Sequence, residues 1–195
     1  MSLPNRLKPI KRSKAKLNEL IDLLRKITNK IDNGATEDDP DIKIMMTNWN
    51  TQVVTPCEFS DFRDYNSWTS AKEFTKIAFN QVKYLDDLTY EELINIIDFI
   101  CLDEGSKSEH SYAMKLLKVN FKSFSSDLIY WPDEYFNIEE VDDLSSEEIA
   151  AYLMEGSNRK LSNTPELRLK YSIPKDINNR LFILTINQAI DFINR

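Results

Sequence analysis

The side chains best placed to do chemistry in this chain are its carboxylates. Ten of them, Asp127, Asp133, Glu134, Glu139, Glu140, Asp142, Asp143, Glu147, Glu148 and Glu155, fall between Lys122 and Arg159 with no Lys or Arg among them, so residues 123–158 carry a charge of −10. Tyr130, Trp131, Tyr135, Phe136 and Tyr152 interleave large rings with these charges. A stretch of this kind can attract a basic partner, coordinate a cation or simply face solvent. Its sharpest part is YWPDEYF, residues 130–136, where Pro132 breaks any regular helix or central strand. Aromatic anchors beside charge have the composition of a protein-binding hot spot. The candidate partner-binding residues are therefore Tyr130, Trp131, Asp133, Glu134, Tyr135, Glu139, Glu140, Asp142 and Asp143. The competing reading buries Trp131 and Phe136 and leaves the carboxylates solvated.

Three of the ten charges stand apart from the candidate surface, two of them with a plainer role. Glu147 and Glu148 stand in the first turn of an expected helix, where the positive end of the helix dipole favours them, and Glu155 lies at its far end beside Gly156. The string EEVDD lacks the spacing and the glycine of an EF-hand loop, so neither a metal nor a cofactor is expected.

Elsewhere, Asp103, Glu104, Glu109 and the lone histidine, His110, cluster in CLDEGSKSEHS and could share a proton or a metal. Simpler duties account for most of them: Glu109 completes a helix cap, His110 falls on an apolar face, and Asp103 and Glu104 flank a helix end. Cys57 and Cys101 stand 44 positions apart with no CxxC, which suggests two free thiols in a reducing cytoplasm. There is no G-x-S-x-G sequence and no phosphate-binding loop. A hydrolase built from two scattered carboxylates stays open as an alternative.

The chain's 195 residues suffice for one well-buried core, and its 42% hydrophobic content is that of a folded protein. The net charge of −7 hides a partition along the chain. Residues 1–30 hold nine Lys or Arg against two acids, residues 31–156 nine against 27, and residues 157–195 seven against three. The basic ends could fold back on the acidic middle. Residues 1–12 read as a flexible basic tail, and Arg6, Lys8, Lys11, Arg12, Lys14 and Lys16 could contact phosphates. They have no interleaved aromatics, however, and the overall negative charge repels nucleic acid. No apolar run approaches membrane-spanning length, and the N-terminus lacks the apolar core of a signal peptide.

Leu17, Leu20, Leu24, Ile27 and Ile31 predict a helix over Ser13 to Asp32, closed by Asn33 and Gly34. Alternating Ile42, Ile44 and Met46, a polar turn at 48–50, then Val53 and Val54, suggest a short β-hairpin. Five Ser or Thr residues followed three positions later by Glu or Gln mark helix starts: Ser70, Thr89, Ser106, Ser145 and Thr185. A sixth such pair, Thr55 with Glu58, leads into no apolar pattern. Leu93, Ile96, Ile97, Ile100 and Cys101 share one face of the second of these helices, which puts Cys101 in the core. His110, Ala113, Met114, Leu117 and Phe121 share the face of the third, expected to pair with the second as an antiparallel hairpin. LFILTI, residues 181–186, suits a strand or a buried lead-in to a last helix.

The expected fold is mainly α, a single compact helical domain with one small β-hairpin. The expected function is a non-enzymatic interaction module binding a basic protein, as an inhibitor or immunity-type protein for a cationic toxin would. A carboxylate-based or metal-assisted hydrolase and a helical regulatory protein are the alternatives.

Overall fold

In a computed structural model, which describes residues 2–11 and 13–174, the chain is mainly helical. The segment LFILTI and the pair Thr185 and Gln188 lie outside the described residues. Its contacts group the chain into two compact units. One comprises Met1–Lys83 with Leu102–Leu116, the other Tyr84–Cys101 with Leu117–Arg195.

The first unit is organised by α1 (Lys14–Asp32), which packs against α2 (Pro40–Asn50), α3 (Phe59–Asp64) and α4 (Ala71–Phe79). Ser13 caps α1 by accepting from the Lys16 backbone N–H at 3.2 Å, and Gly34 takes the left-handed stop with φ +94°. The expected seam is an intramolecular core face: Leu20, Leu24 and Ile27 are fully buried, with Ile31 half-buried against the same cluster. Around them stands a knot of rings. Trp49 meets Phe62 edge-on at 5.2 Å and Phe74 in a stack at 5.8 Å, while its indole N–H donates to the Leu20 carbonyl at 3.2 Å. Residues 1–12, expected as a flexible tail, include a 3-10 turn at Asn5–Leu7 in which Leu7 is buried, as is Leu3.

The expected β-hairpin is absent, and its first arm is α2. Asp39 and Pro40 start the helix, with proline at its first position, where no backbone N–H is needed. Ile42 and Trp49 then face the core seven residues apart, with Met45 and Met46 between them. Ile44, the middle of the apparent alternation, is 67% exposed. Val53 and Val54 lie in an irregular turn, where the Val54 and Thr55 N–H groups both donate to the Ala78 carbonyl at 3.0 Å.

The four expected caps within the described residues all form, though not all in the expected way. Thr89 with Glu92, Ser106 with Glu109, and Ser145 with Glu148 exchange side-chain and backbone hydrogen bonds in both directions. Ser70 accepts from the Glu73 N–H, but the Glu73 carboxylate serves another helix. Its Oε2 accepts from the Ser108 N–H at 3.0 Å in the first turn of α6 (Lys107–Asn120), and its Oε1 accepts from Lys76 at 2.8 Å. Burial pushes this carboxyl up, but the hydrogen bonds from Lys76 and Ser108 outweigh that and hold it at about 2. Glu58, read only as the partner of Thr55, is itself the cap of α3 and exchanges hydrogen bonds with Asp61.

In the second unit, α5 (Tyr90–Cys101) packs against α9 (Ser146–Gly156), and the short helices α7 (Asp127–Tyr130) and α8 (Pro132–Phe136) pack together. The predicted face of α5 is buried at Leu93, Ile96, Ile97 and Ile100. Cys101 is exposed instead of core, because α5 ends at it and the chain turns away. Ala113, Leu117 and Phe121 of the next predicted face are buried, while His110 and Met114 are only partly so. Among the described residues, β pairing amounts to an isolated parallel bridge between Thr89 and Ser162.

Two further devices shape this unit. The Arg159 guanidinium donates to the Asn120 backbone carbonyl and Oδ1 at 2.8 and 2.9 Å and to the Leu85 carbonyl. It also lies over the rings of Tyr84 and Phe121, at 4.5 and 5.2 Å. One side chain thus ties three separate chain segments together. At the end of α9, Gly156 permits a close approach: a Cβ there would stand 2.7 Å from the Ser123 Cβ. The Ser123 hydroxyl donates to the Leu153 carbonyl at 3.1 Å.

Candidate functional site

Pro132 both breaks and begins a helix. The residue before a proline is driven to extended backbone, and Trp131, at φ −144° and ψ 65°, forms the joint between α7 and α8. Pro132 then occupies the first position of α8, and Asn137, in the left-handed region at φ 54°, ends it. This short helix sorts the candidate residues by face. Pro132, Tyr135 and Phe136 are buried, whereas Asp133 and Glu134 point to solvent.

Tyr135 therefore does not belong to a contact surface. It is 4% exposed, its ring meets Phe136 edge-on at 4.8 Å, and its hydroxyl has no hydrogen-bond partner among the described residues. Burial, with the neighbouring Tyr152 adding to it, pushes its phenol up to about 12. The signal was present in the sequence, because Tyr135 stands three residues after Pro132 and so shares its side of a helical turn.

Tyr130 and Trp131 go the other way. They are 41% and 52% exposed, with ring centroids 5.7 Å apart. The reading that buries Trp131 fails, while Phe136 is core as that reading had it. Glu139, Glu140, Asp142 and Asp143 follow in an irregular stretch after α8, all exposed, with Glu140 in the left-handed region at φ 59°. Ile138, 42% exposed, adds apolar area. Eight of the nine candidate residues are thus at the surface.

Ion pairing leaves these carboxylates largely uncompensated. Among the described residues, Asp142 is the one member of the ten-charge block in an ion pair, with Lys170 at 3.2 Å. Glu148 is spent on its cap. The idea that the basic ends neutralise the middle is met by Lys170 with Asp142, and by Lys30 of α1 with Asp41 at 3.0 Å.

The other chemical candidates are disposed differently. His110 Nε2 stands 3.8 Å from the Asp103 carboxylate, beside a cleft of about 320 Å³ also lined by Trp68 and Lys107. Glu109 is held by the Ser106 N–H and hydroxyl. Among the described residues no three His, Cys, Asp or Glu side chains converge in a way that could hold a metal. Burial, reinforced by the charge of Asp61 and opposed by Lys115, pushes the Cys57 thiol up to about 12. Partial burial, then Asp98 and Asp143, raise Cys101 as well. Both are free thiols held in their protonated, weakly nucleophilic form at neutral pH. No helix among the described residues is long and apolar enough to cross a membrane.

Comparison with protein-family models, with curated proteins and with solved structures gave no match to this chain.

Proposed function

We propose that this chain is a non-enzymatic interaction protein that acts in the cytoplasm and binds a basic protein through its second unit, in the manner of an inhibitor or immunity-type protein. The observation that carries the reading is the paired exposure of Tyr130 and Trp131 next to six solvent-facing carboxylates, Asp133, Glu134, Glu139, Glu140, Asp142 and Asp143. Exposed aromatics supply contact area at low entropic cost, and the surrounding like charges steer an oppositely charged partner and speed its encounter. The two free thiols, both raised in pKa, fit a reducing compartment.

Stopped-flow association with a dye-labelled lysine-rich peptide, followed by the anisotropy of the dye at rising ionic strength, tests this. The association rate is expected to fall steeply with salt, and Trp131→Ala is expected to weaken binding by about thirtyfold or more, the level at which a hot spot is recognised. An association rate indifferent to salt, or a Trp131→Ala variant that binds as well as the parent, would overturn it.

A further inference from the structure

After α9 the chain returns through residues 159–174 and passes over α8. Tyr171 is fastened there at three points. Its N–H donates to the Tyr152 hydroxyl at 2.7 Å, that hydroxyl donates back to the Tyr171 carbonyl at 3.3 Å, and its ring lies 5.0 Å from that of Phe136. Tyr152 is itself 1% exposed, so the anchor is rooted in the core of the unit. The fastening fixes the position of the preceding residue. Lys170 projects its ammonium to 3.2 Å from Asp142 Oδ2 and 5.3 Å from the Tyr171 ring centroid. This is a cation seated between a carboxylate and an aromatic face, which is how a basic partner would be held on such a surface.

Two features make this cation replaceable. The lysine and aspartate side chains are 49% and 86% exposed, and an exposed pair contributes little free energy. On Asp142 the contact is one ammonium to one oxygen, which any lysine side chain can reproduce, rather than the two-pronged fork an arginine makes. We infer that the basic partner enters this surface through a lysine that takes the place of Lys170 on Asp142, so that Lys170 is a built-in competitor for the partner's site. The inference rests on the binding reading above and adds to it the chemistry of the incoming group and an internal brake on affinity. A site filled part of the time by an internal group binds more weakly in proportion to the time it is filled. For an exposed pair, removing that group gains about two- to fivefold in affinity.

The probe is an acetylated, amidated peptide of alternating lysine and glycine, titrated into the full chain at low salt with Trp fluorescence as readout. Lys170→Met keeps the aliphatic stem and removes the charge. Arg168→Met removes an equal charge two residues away, from an exposed side chain whose own carboxylate neighbour is Glu166 at 4.0 Å, and so controls for net charge and for the loss of an exposed ion pair away from Asp142. Lys170→Met is expected to tighten binding about two- to fivefold beyond Arg168→Met, and Asp142→Asn to abolish that difference. Circular dichroism spectra matching the parent establish that each variant is folded. Equal affinities for Lys170→Met and Arg168→Met, or a gain that survives Asp142→Asn, overturn the competitor role while leaving the binding surface standing. Failure of the parent and of Lys170→Met alike to bind the peptide sinks the surface reading and this inference together.

Discussion

The two units differ most in how they dispose of charge. The first holds 16 basic against 14 acidic residues and the second nine against 18, a net of +2 against −9. Along the chain the partition looks quite different, with basic ends and an acidic middle. Folding regroups it, because the basic first 30 residues share a unit with the acidic stretch that follows them. Lys30 pairs with Asp41 and Lys43 with Asp38, each at 3.0 Å. The second unit receives almost all of the excess, and of the six carboxylates exposed between residues 133 and 143 only Asp142 stands in an ion pair among the described residues. The first unit therefore resembles a self-balanced scaffold around an aromatic core, and the second a body whose carboxylates at residues 133–143 stand largely unpaired at the surface. Unpaired charge at a surface costs some stability through self-repulsion and gains long-range attraction for a partner of opposite sign.

Mutations that strike one unit's construction and not the other's test this contrast, with hydrogen exchange reading each unit separately. The largest effect is expected at Trp49, fully buried among Phe62 and Phe74. Trp49→Ala should destabilise the first unit by about 3–5 kcal/mol. Next comes Arg159, whose guanidinium is satisfied by neutral carbonyls and aromatic faces. Arg159→Met strands those acceptors and should cost the second unit about 2–3 kcal/mol in urea denaturation, and Arg159→Lys should recover only part because it lacks the fork. Gly156→Ala drives a methyl group into Ser123 and should cost about 1–3 kcal/mol.

A pH titration separates the units again. Glu73 sits at about 2 in the folded first unit against an ordinary 4.5, so its contribution is complete above pH 4.5 and drains away as pH falls from there through about 2. Parent protein should show an acid-side loss of protection in α4 and the start of α6, where Glu73 holds the Ser108 N–H. Glu73→Gln should flatten that loss while lowering stability at neutral pH by about 1–2 kcal/mol. An acid response unchanged in Glu73→Gln would show that other carboxylates govern it.

What the sequence could and could not reveal follows from the range of each interaction. The cores of α1 and α5 were legible because Leu20, Leu24 and Ile27, or Leu93, Ile96, Ile97 and Ile100, repeat at helical spacing. The paired caps at Thr89, Ser106 and Ser145 were legible because each is complete within four residues. Misreading α2 as a strand came from weighing a three-point alternation above the stronger local signal, Asp39 followed by Pro40. Glu73 shows where local reasoning stops: its spacing to Ser70 is right, yet its carboxylate reaches a helix 35 positions away. The clamp made by Arg159 has no sequence signature at all, because its partners at positions 85 and 120 become neighbours only on folding. Of the nine candidate surface residues, only Tyr135 is turned inward, and the helical turn opened by Pro132 is the reason.

The smallest expected effects bear most directly on the contrast between the units. If the exposed carboxylates of the second unit are kept for binding at a cost in self-repulsion, removing one that makes no ion pair among the described residues should stabilise that unit slightly. Glu139→Gln and Asp143→Asn should each raise its stability by up to about 0.5 kcal/mol, with no change in the first unit. Added salt should mimic them by screening. Asp142→Asn should go the other way by a few tenths of a kcal/mol, because it deletes the block's ion pair with Lys170. The sign, more than the size, carries the argument. Should neutralising Glu139 or Asp143 destabilise the second unit as neutralising Asp142 does, these carboxylates hold the fold together instead of standing ready for a partner. The charge difference between the units would then be a matter of packing rather than of recognition.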